Sequence, residues 1–282
     1  QVAKETGKEY IFISRSDSTL RGHYPLETEL LKDKYEKNTG KTIDGEILCP
    51  FFKEGGRYTV ENVHYVKYGE KLIPANETEF AKDKTFGYTA ATVPEYVEEK
   101  TKGAYKAADV TCISLEDIHN MDIDKIEAQL MAVKDFNKIV VNAVGYADVK
   151  VFCTALYRAM AKGKVFMFRT AAAIVKVMGA VTDQPLLTRG QMVVRETDKG
   201  GIIVVGSHTD KTTKQVEALK ELDGIEFIEL DATLVKDDAA FEAEVQRCLD
   251  QEEACIREGK TVCCYTSRAL ITADTGDKES LQ

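Results

Sequence analysis

Short apolar runs of strand character alternate with longer stretches whose apolar residues recur at helical spacing, and this alternation most restricts the fold. EYIFI (9–13) precedes YPLETELLKDKYEK, and EILCPFF (46–52) reads as a second buried strand. ADVTCISL, NKIVVNAV and KVFMF are further strand candidates, followed by the helical patterns DIDKIEAQLMAVKDF, ADVKVFCTALYRAMAKG and AAAIVKVMGAV. Nearly continuous apolar strands separated by helices are the pattern of parallel strands covered on both faces, so an α/β fold with mainly parallel sheets is expected. Between the second and third strands, RYTVENVHYVKYGEKLIP (57–74) alternates apolar and polar residues around YGEK and predicts an antiparallel hairpin inserted in the first domain. Thr92, with Pro94 and Glu95 behind it, marks a helix start with Thr92 or Val93 near the cap, running to about Thr101.

The rhythm breaks in TDQPLLTRGQMVVRETDKG (182–200) and restarts with GIIVVGS, KTTKQVEALKEL, GIEFIEL, a long helix and KTVCCYTS. A boundary near residue 195 is expected, dividing a first domain (1–195) from a second (196–282) with only three strand candidates. Both ends read as cut, which makes the chain a fragment or a shortened form. The 282 residues, 44% hydrophobic, suffice for two cores. A net charge of −9 argues against nucleic-acid or anionic-membrane partners, which need a basic footprint. No apolar run approaches the roughly 20 residues of a membrane span. Seven cysteines, without CxxC or metal-ligand spacing and mostly inside apolar segments, read as reduced thiols of a cytoplasmic protein.

In open α/β sheets, ligands bind at the carboxyl ends of the strands. Four such loops carry suitable residues. SRSDSTLRGH (14–23) gathers Arg15, Asp17, Ser18, Thr19, Arg21 and Gly22 at a strand-to-helix junction. Paired arginines and helix-start amides make an anion site, and an aspartate beside them can accept a hydroxyl proton or hold a magnesium-bound water. Equally, Asp17 or Ser18 could cap the turn and Arg21 form a surface pair. PFFKEGGRYT places Arg57 directly after Gly55 and Gly56, FRTAAA places Arg169 and Thr170 at a helix start, and IIVVGSHTDKTTKQ ends a strand in Gly206 and Ser207. The last is neither GxGxxG nor a Walker loop, and the absence of GxGxxG argues against a nicotinamide-dependent oxidoreductase. The four histidines suggest no triad, and the residues alone imply a small anionic ligand without naming a reaction.

Taken together, the run D-S-T-L-R-G at 17–22, CPFFKEGGRYT at 49–59, the segment ending in ETEFAKD, FRTAA and VVGSHTDKTTKQ resemble, in order, the four-carbon acid sugar kinase family. These enzymes phosphorylate sugar acids such as threonate, erythronate and oxo-tetronates with ATP. The resemblance implies an amino-terminal sugar-acid domain and a carboxy-terminal nucleotide domain. Arg21 and Arg57, with Arg169, Arg15 and Ser18, would then hold the sugar acid. Asp17 would orient or deprotonate the attacking hydroxyl, and Gly206 and Ser207 would contact ATP. Mg2+ is implied by phosphoryl transfer and not by any ligand cluster, and a homodimer is left open. The family's acidic D-D-x-T-G-A loop and glycine-rich K-G-G-x-T loop are missing, and ADTGD (273–277) does not replace the latter. A non-catalytic sugar-acid-binding module is the alternative reading.

Overall fold

In the computed structural model, residues 2–193, 197–207 and 209–268 are described. The chain divides into two compact units, residues 1–184 and 185–282. The boundary expected near residue 195 falls on a residue outside those described, as does ADTGD.

The first unit is built on a five-stranded, wholly parallel sheet. Its strands are β1 (Ile13–Arg15), β2 (Gly45–Cys49), then β6 (Thr111–Ile113), β7 (Asn137–Val141) and β8 (Phe166–Thr170), in the spatial order β1-β8-β2-β7-β6. The intervening β3 (Arg57–Val60), β4 (Val63–Tyr68) and β5 (Lys71–Pro74) form a separate antiparallel sheet. The expected hairpin is therefore a three-stranded meander, because the chain also reverses at Glu61 and Asn62, both at positive φ.

Register explains why the strands read as apolar runs. Ile47 lies beside Ile139 and Phe168, and these three belong to the core shared with helices Ile123–Ala132, Tyr146–Ala161 and Ala173–Met178. One residue on, Leu48 lies beside Val140 and Arg169 and faces the opposite side, where Tyr24, Val93, Tyr96 and Val97 pack. With both faces covered, every residue of β2 and β8 is buried. Helix Val93–Lys100 starts as expected: Glu95 N donates to Thr92 Oγ1 at 3.3 Å and Thr92 N to Glu95 Oε2 at 2.9 Å. EYIFI is the exception. Only Ile13 of it enters a ladder, while Tyr10 and Phe12 pack edge-on against Tyr35, 5.5 and 6.1 Å away.

One feature of this core is costly. Glu46 and Lys138 are direct neighbours on β2 and β7, both fully buried, with Lys138 Nζ 2.7 Å from Glu46 Oε2. The ammonium also lies 3.5 Å from the Phe136 ring centroid and 4.2 Å from that of Tyr105. Burial drives the Lys138 pKa down, and the Glu46 charge opposes that shift.

The second unit carries a parallel sheet of β9 (Ile202–Val205), β10 (Ile225–Leu230) and β11 (Thr261–Thr266), ordered β10-β11-β9, with helices Asp210–Lys220 and Asp238–Arg257. Its core centres on Ile228, Cys248 and Val262. On β9, Ile202 and Val204 remain 54% and 74% exposed. The seven cysteines are all free. Among the described residues no helix is long and apolar enough to cross a membrane.

Candidate functional site

The carboxyl ends of β1, β2 and β8 place three of the four predicted loops on one edge of the first sheet. After β1 the chain turns back on itself before helix Leu26–Thr39. Asp17 Oδ2 draws this turn together, accepting from the Thr19 amide (3.1 Å), the Thr19 hydroxyl and Arg21 Nε (3.1 Å). The capping expected of Asp17 and the pairing expected of Arg21 are thus one device. Burial alone would raise the Asp17 pKa, but the Thr19 and Arg21 hydrogen bonds and the Arg21 charge outweigh it and hold the carboxyl below its usual value.

Inside the turn, four consecutive carbonyls are each taken by a side-chain donor. His64 Nε2 donates to Ser18 O at 2.8 Å, the Tyr88 hydroxyl to Thr19 O at 3.0 Å and the Tyr96 hydroxyl to Leu20 O at 2.7 Å. Arg169 Nη2 donates to Arg21 O at 3.1 Å. A carbonyl can only accept, so His64 carries its proton on Nε2 and its Nδ1 accepts from the Thr59 hydroxyl at 2.9 Å. Burial pushes the His64 pKa down to about 4, which keeps the ring neutral. Leu20 sits at φ 68°, a left-handed conformation that costs a branched side chain energy. Gly22, at φ 116°, is where an added Cβ would come 3.6 Å from the Arg169 guanidinium.

The result is a cleft of about 370 Å³ lined by Asp17, Arg21, His23, Glu27, Asp83 and Arg169, among others. Arg169, only 3% exposed, stacks 4.8 Å over the Tyr24 ring, and its Nη1 has no hydrogen-bond partner among the described residues. Arg57 is half-buried, and its Nη1 donates back to Gly55 O while its Nε is likewise without a partner there. Desolvation lowers the Arg57 pKa, with Asp17 and Arg21 close enough to act on it. Arg21 and Arg57 share the Phe80 ring, at 5.1 and 5.3 Å from its centroid. The GGR turn depends on Gly56, which is at φ 70° and where a Cβ would meet the Lys67 Cβ at 2.9 Å.

Asp17, Arg21 and Arg169 thus line one cleft, while Arg57 does not line it and adjoins it through the Phe80 ring it shares with Arg21. Arg15 is exposed at the end of β1 and is not among the cleft-lining residues, and Ser18 contributes its carbonyl to the support of the turn. Sequence reasoning missed Asp83, whose Oδ2 lies 3.6 Å from Arg21 Nη1 and whose Oδ1 accepts the Thr85 and Phe86 amides at 2.9 Å. Burial would raise its pKa, but those amides and Arg21 lower it overall. Asp83 closes the ETEFAKD segment, which was a usable signal; His64, Tyr88 and Tyr96 carried none.

In the second unit, Gly206 and Ser207 follow β9. Ser207 Oγ meets the hydroxyls of Thr209 and Thr212 at 3.3 and 3.2 Å. The loop is tied to the end of the neighbouring β11: Thr266 Oγ1 donates to Gly206 O (3.1 Å) and Arg268 Nη1 to Ser207 O (2.6 Å). Arg268 was not anticipated, although its place at a strand end beside the predicted loop would have pointed to it. No group of three or more His, Cys, Asp or Glu side chains that could hold a metal occurs among the described residues.

A family model described as a sugar-binding N-terminal domain matches residues 1–178. The chain belongs to this family. A second model, a nucleotide-binding C-terminal domain, matches residues 202–282, so the sugar-binding domain is followed by a nucleotide-binding one. Comparison with curated proteins gives no match. Among solved structures, Haemophilus influenzae protein HI1011, of family model DUF1537, is 19% identical with a TM-score of 0.50, covering 93% of this chain and 58% of its own. A Salmonella typhimurium LT2 protein, provisionally designated a tRNA synthase, is 13% identical with a TM-score of 0.58, covering 94% and 58%. Both likenesses concern the fold. The chain spans 58% of the length of each of these structures.

Proposed function

We propose that the chain is the sugar-acid-binding and nucleotide-binding part of an ATP-dependent kinase that phosphorylates a hydroxyl of a four-carbon sugar acid. The observation that carries this reading is Arg169, which lines the cleft with the ionised Asp17 and whose Nη1 has no hydrogen-bond partner among the described residues; a second such donor, Arg57 Nε, stands at the Phe80 ring that Arg57 shares with Arg21. Buried donors are almost always satisfied, and a planar carboxylate is the anion whose geometry suits a guanidinium. Arg57 and Arg169 would hold the acid group, with Arg21 fixed nearby by Asp17 and Asp83. All three described hydrogen bonds to Asp17 fall on Oδ2, which leaves Oδ1 to receive a substrate hydroxyl and orient it. A carboxylate held below its usual pKa is ionised at neutral pH and can accept a hydrogen bond that orients the hydroxyl.

In the second unit, Gly206 and Ser207 would meet ATP, with the Thr209 and Thr212 hydroxyls and Arg268 at the same strand ends. Magnesium would arrive with the nucleotide, since no cluster of ligands for it occurs among the described residues. Calorimetry with threonate, erythronate and ATP, together with ADP release in the presence of Mg2+, tests the proposal. Tetronate-dependent ADP release is expected. The alternative is a sugar-acid-binding module without turnover, for which sugar-acid binding with no ATP binding is the signature. Failure to bind any tetronate would sink the substrate assignment.

A further inference from the structure

The turn that carries Asp17 and Arg21 has an internal peculiarity. Backbone carbonyls in a loop ordinarily turn to water or to other backbone amides, yet Ser18, Thr19, Leu20 and Arg21 present four in a row to side chains. The donors come from separate parts of the fold: His64 from β4, Tyr88 from the segment after β5, Tyr96 from helix Val93–Lys100 and Arg169 from β8. His64, Tyr88 and Tyr96 are 2%, 5% and 0% exposed, so each would leave a buried polar atom unsatisfied if the turn changed shape.

The rings also brace one another. Tyr96 stacks on Tyr24 with centroids 5.5 Å apart, and Tyr88 meets Tyr96 edge-on at 5.2 Å. Tyr24 in turn lies under the Arg169 guanidinium. One aromatic cluster therefore supports the turn through hydroxyls and Arg169 through a ring face. Carbonyl oxygens carry partial negative charge. Drawing four of them inward keeps that charge off a cleft meant for an anion.

We infer that His64, Tyr88 and Tyr96 are positioning residues, whose donors hold the Asp17–Arg21 turn in its ligand-ready shape and turn its carbonyls away from the anion. The inference rests on the reading of the cleft as a sugar-acid site for its consequence, but not for its geometry. The test combines peptide-resolved amide exchange with threonate calorimetry on Tyr88→Phe, Tyr96→Phe, His64→Leu and His64→Gln. The Phe variants remove one hydroxyl and keep the ring. Gln can place an amide nitrogen where Nε2 stands.

Exchange of residues 16–22 should rise roughly threefold to tenfold in the Phe and Leu variants, the factor expected for one net hydrogen bond. Helix Tyr146–Ala161 should stay unchanged, threonate affinity should fall by a similar factor, and His64→Gln should recover most of both. Unchanged exchange at 16–22 in both Phe variants overturns the inference, whatever the ligand does. A uniform rise over all peptides also overturns it, since that marks general destabilisation. Raised local exchange in a protein whose wild type binds no threonate upholds the positioning role and overturns the sugar-acid reading instead.

Discussion

The two units answer the same sequence rhythm differently. In the first, helices cover both faces of the parallel sheet, β2 and β8 are buried throughout, and polar groups are sealed in, His64 with hydrogen bonds on both ring nitrogens and Glu46 with Lys138 as an ion pair. In the second, a three-stranded sheet leaves Ile202 and Val204 largely bare, and the groups at its strand ends, Ser207, Thr209 and Thr212, bond at the surface. The difference shows what a site inherits from its scaffold. The first cleft is held in shape by buried donors; the loop of the second unit is held by exposed hydrogen bonds from Thr266 and Arg268 and among its own hydroxyls.

The contrast is most open to breakage at Lys138. Lys138→Met leaves a fully buried carboxylate unpaired and should cost about 3–5 kcal/mol in denaturant unfolding, with most of it recovered in the Glu46→Leu/Lys138→Met double variant. The exposed pair Lys220–Glu217 should stay within about 0.5 kcal/mol when Glu217 becomes Ala. Equal losses at the two pairs would erase the distinction.

Packing gives a second comparison. Ile47→Ala should destabilise by about 2–5 kcal/mol, while Val204→Ala, at a largely exposed position, should fall within about 0.5 kcal/mol. Thermal or chemical unfolding followed separately in each unit decides it.

A third concerns pH. The folded His64 pKa lies near 4, below the ordinary 6.5, so the folded state resists protonation that the unfolded chain accepts. Its contribution is present above about pH 6.5 and is lost as pH falls toward about 4, amounting to about 3 kcal/mol over that window. Burial is the main cause, and the Arg57 charge adds to it, while the Ser18 carbonyl and Asp17 oppose it. Subtracting the pH profile of His64→Gln isolates the effect from the carboxylates that titrate in the same range. Smallest is the loss at Arg57: Arg57→Ala should weaken sugar-acid binding by about 1.5–3 kcal/mol, read by calorimetry, with unchanged affinity marking Arg57 as structural.

The strands and helices were largely legible because their signals are local. Ile47, Leu48, Val140 and Phe168 sit in runs that read as buried strand, and Thr92 with Glu95 spelled out a helix cap. EYIFI misled because Tyr10 and Phe12 find aromatic partners instead of a ladder. At the cleft, Asp17, Arg21, Arg57 and Arg169 stood out as charged groups at strand ends in an acidic chain. His64, Tyr88 and Tyr96 could not, since each acts on a residue dozens of positions away through a single donor atom. An alternating strand gives no hint of which ring will meet a distant carbonyl.

The Glu46–Lys138 pair has a consequence for ancestry. Neither position can drift alone, because every path from the pair to an apolar couple passes through a chain with one stranded charge. A lineage carrying the pair is held to it unless both codons change nearly together or surplus stability carries the intermediate. Among descendants the two residues should therefore be inherited as a unit. Branches that have lost one should have lost the other, independent of what the cleft binds.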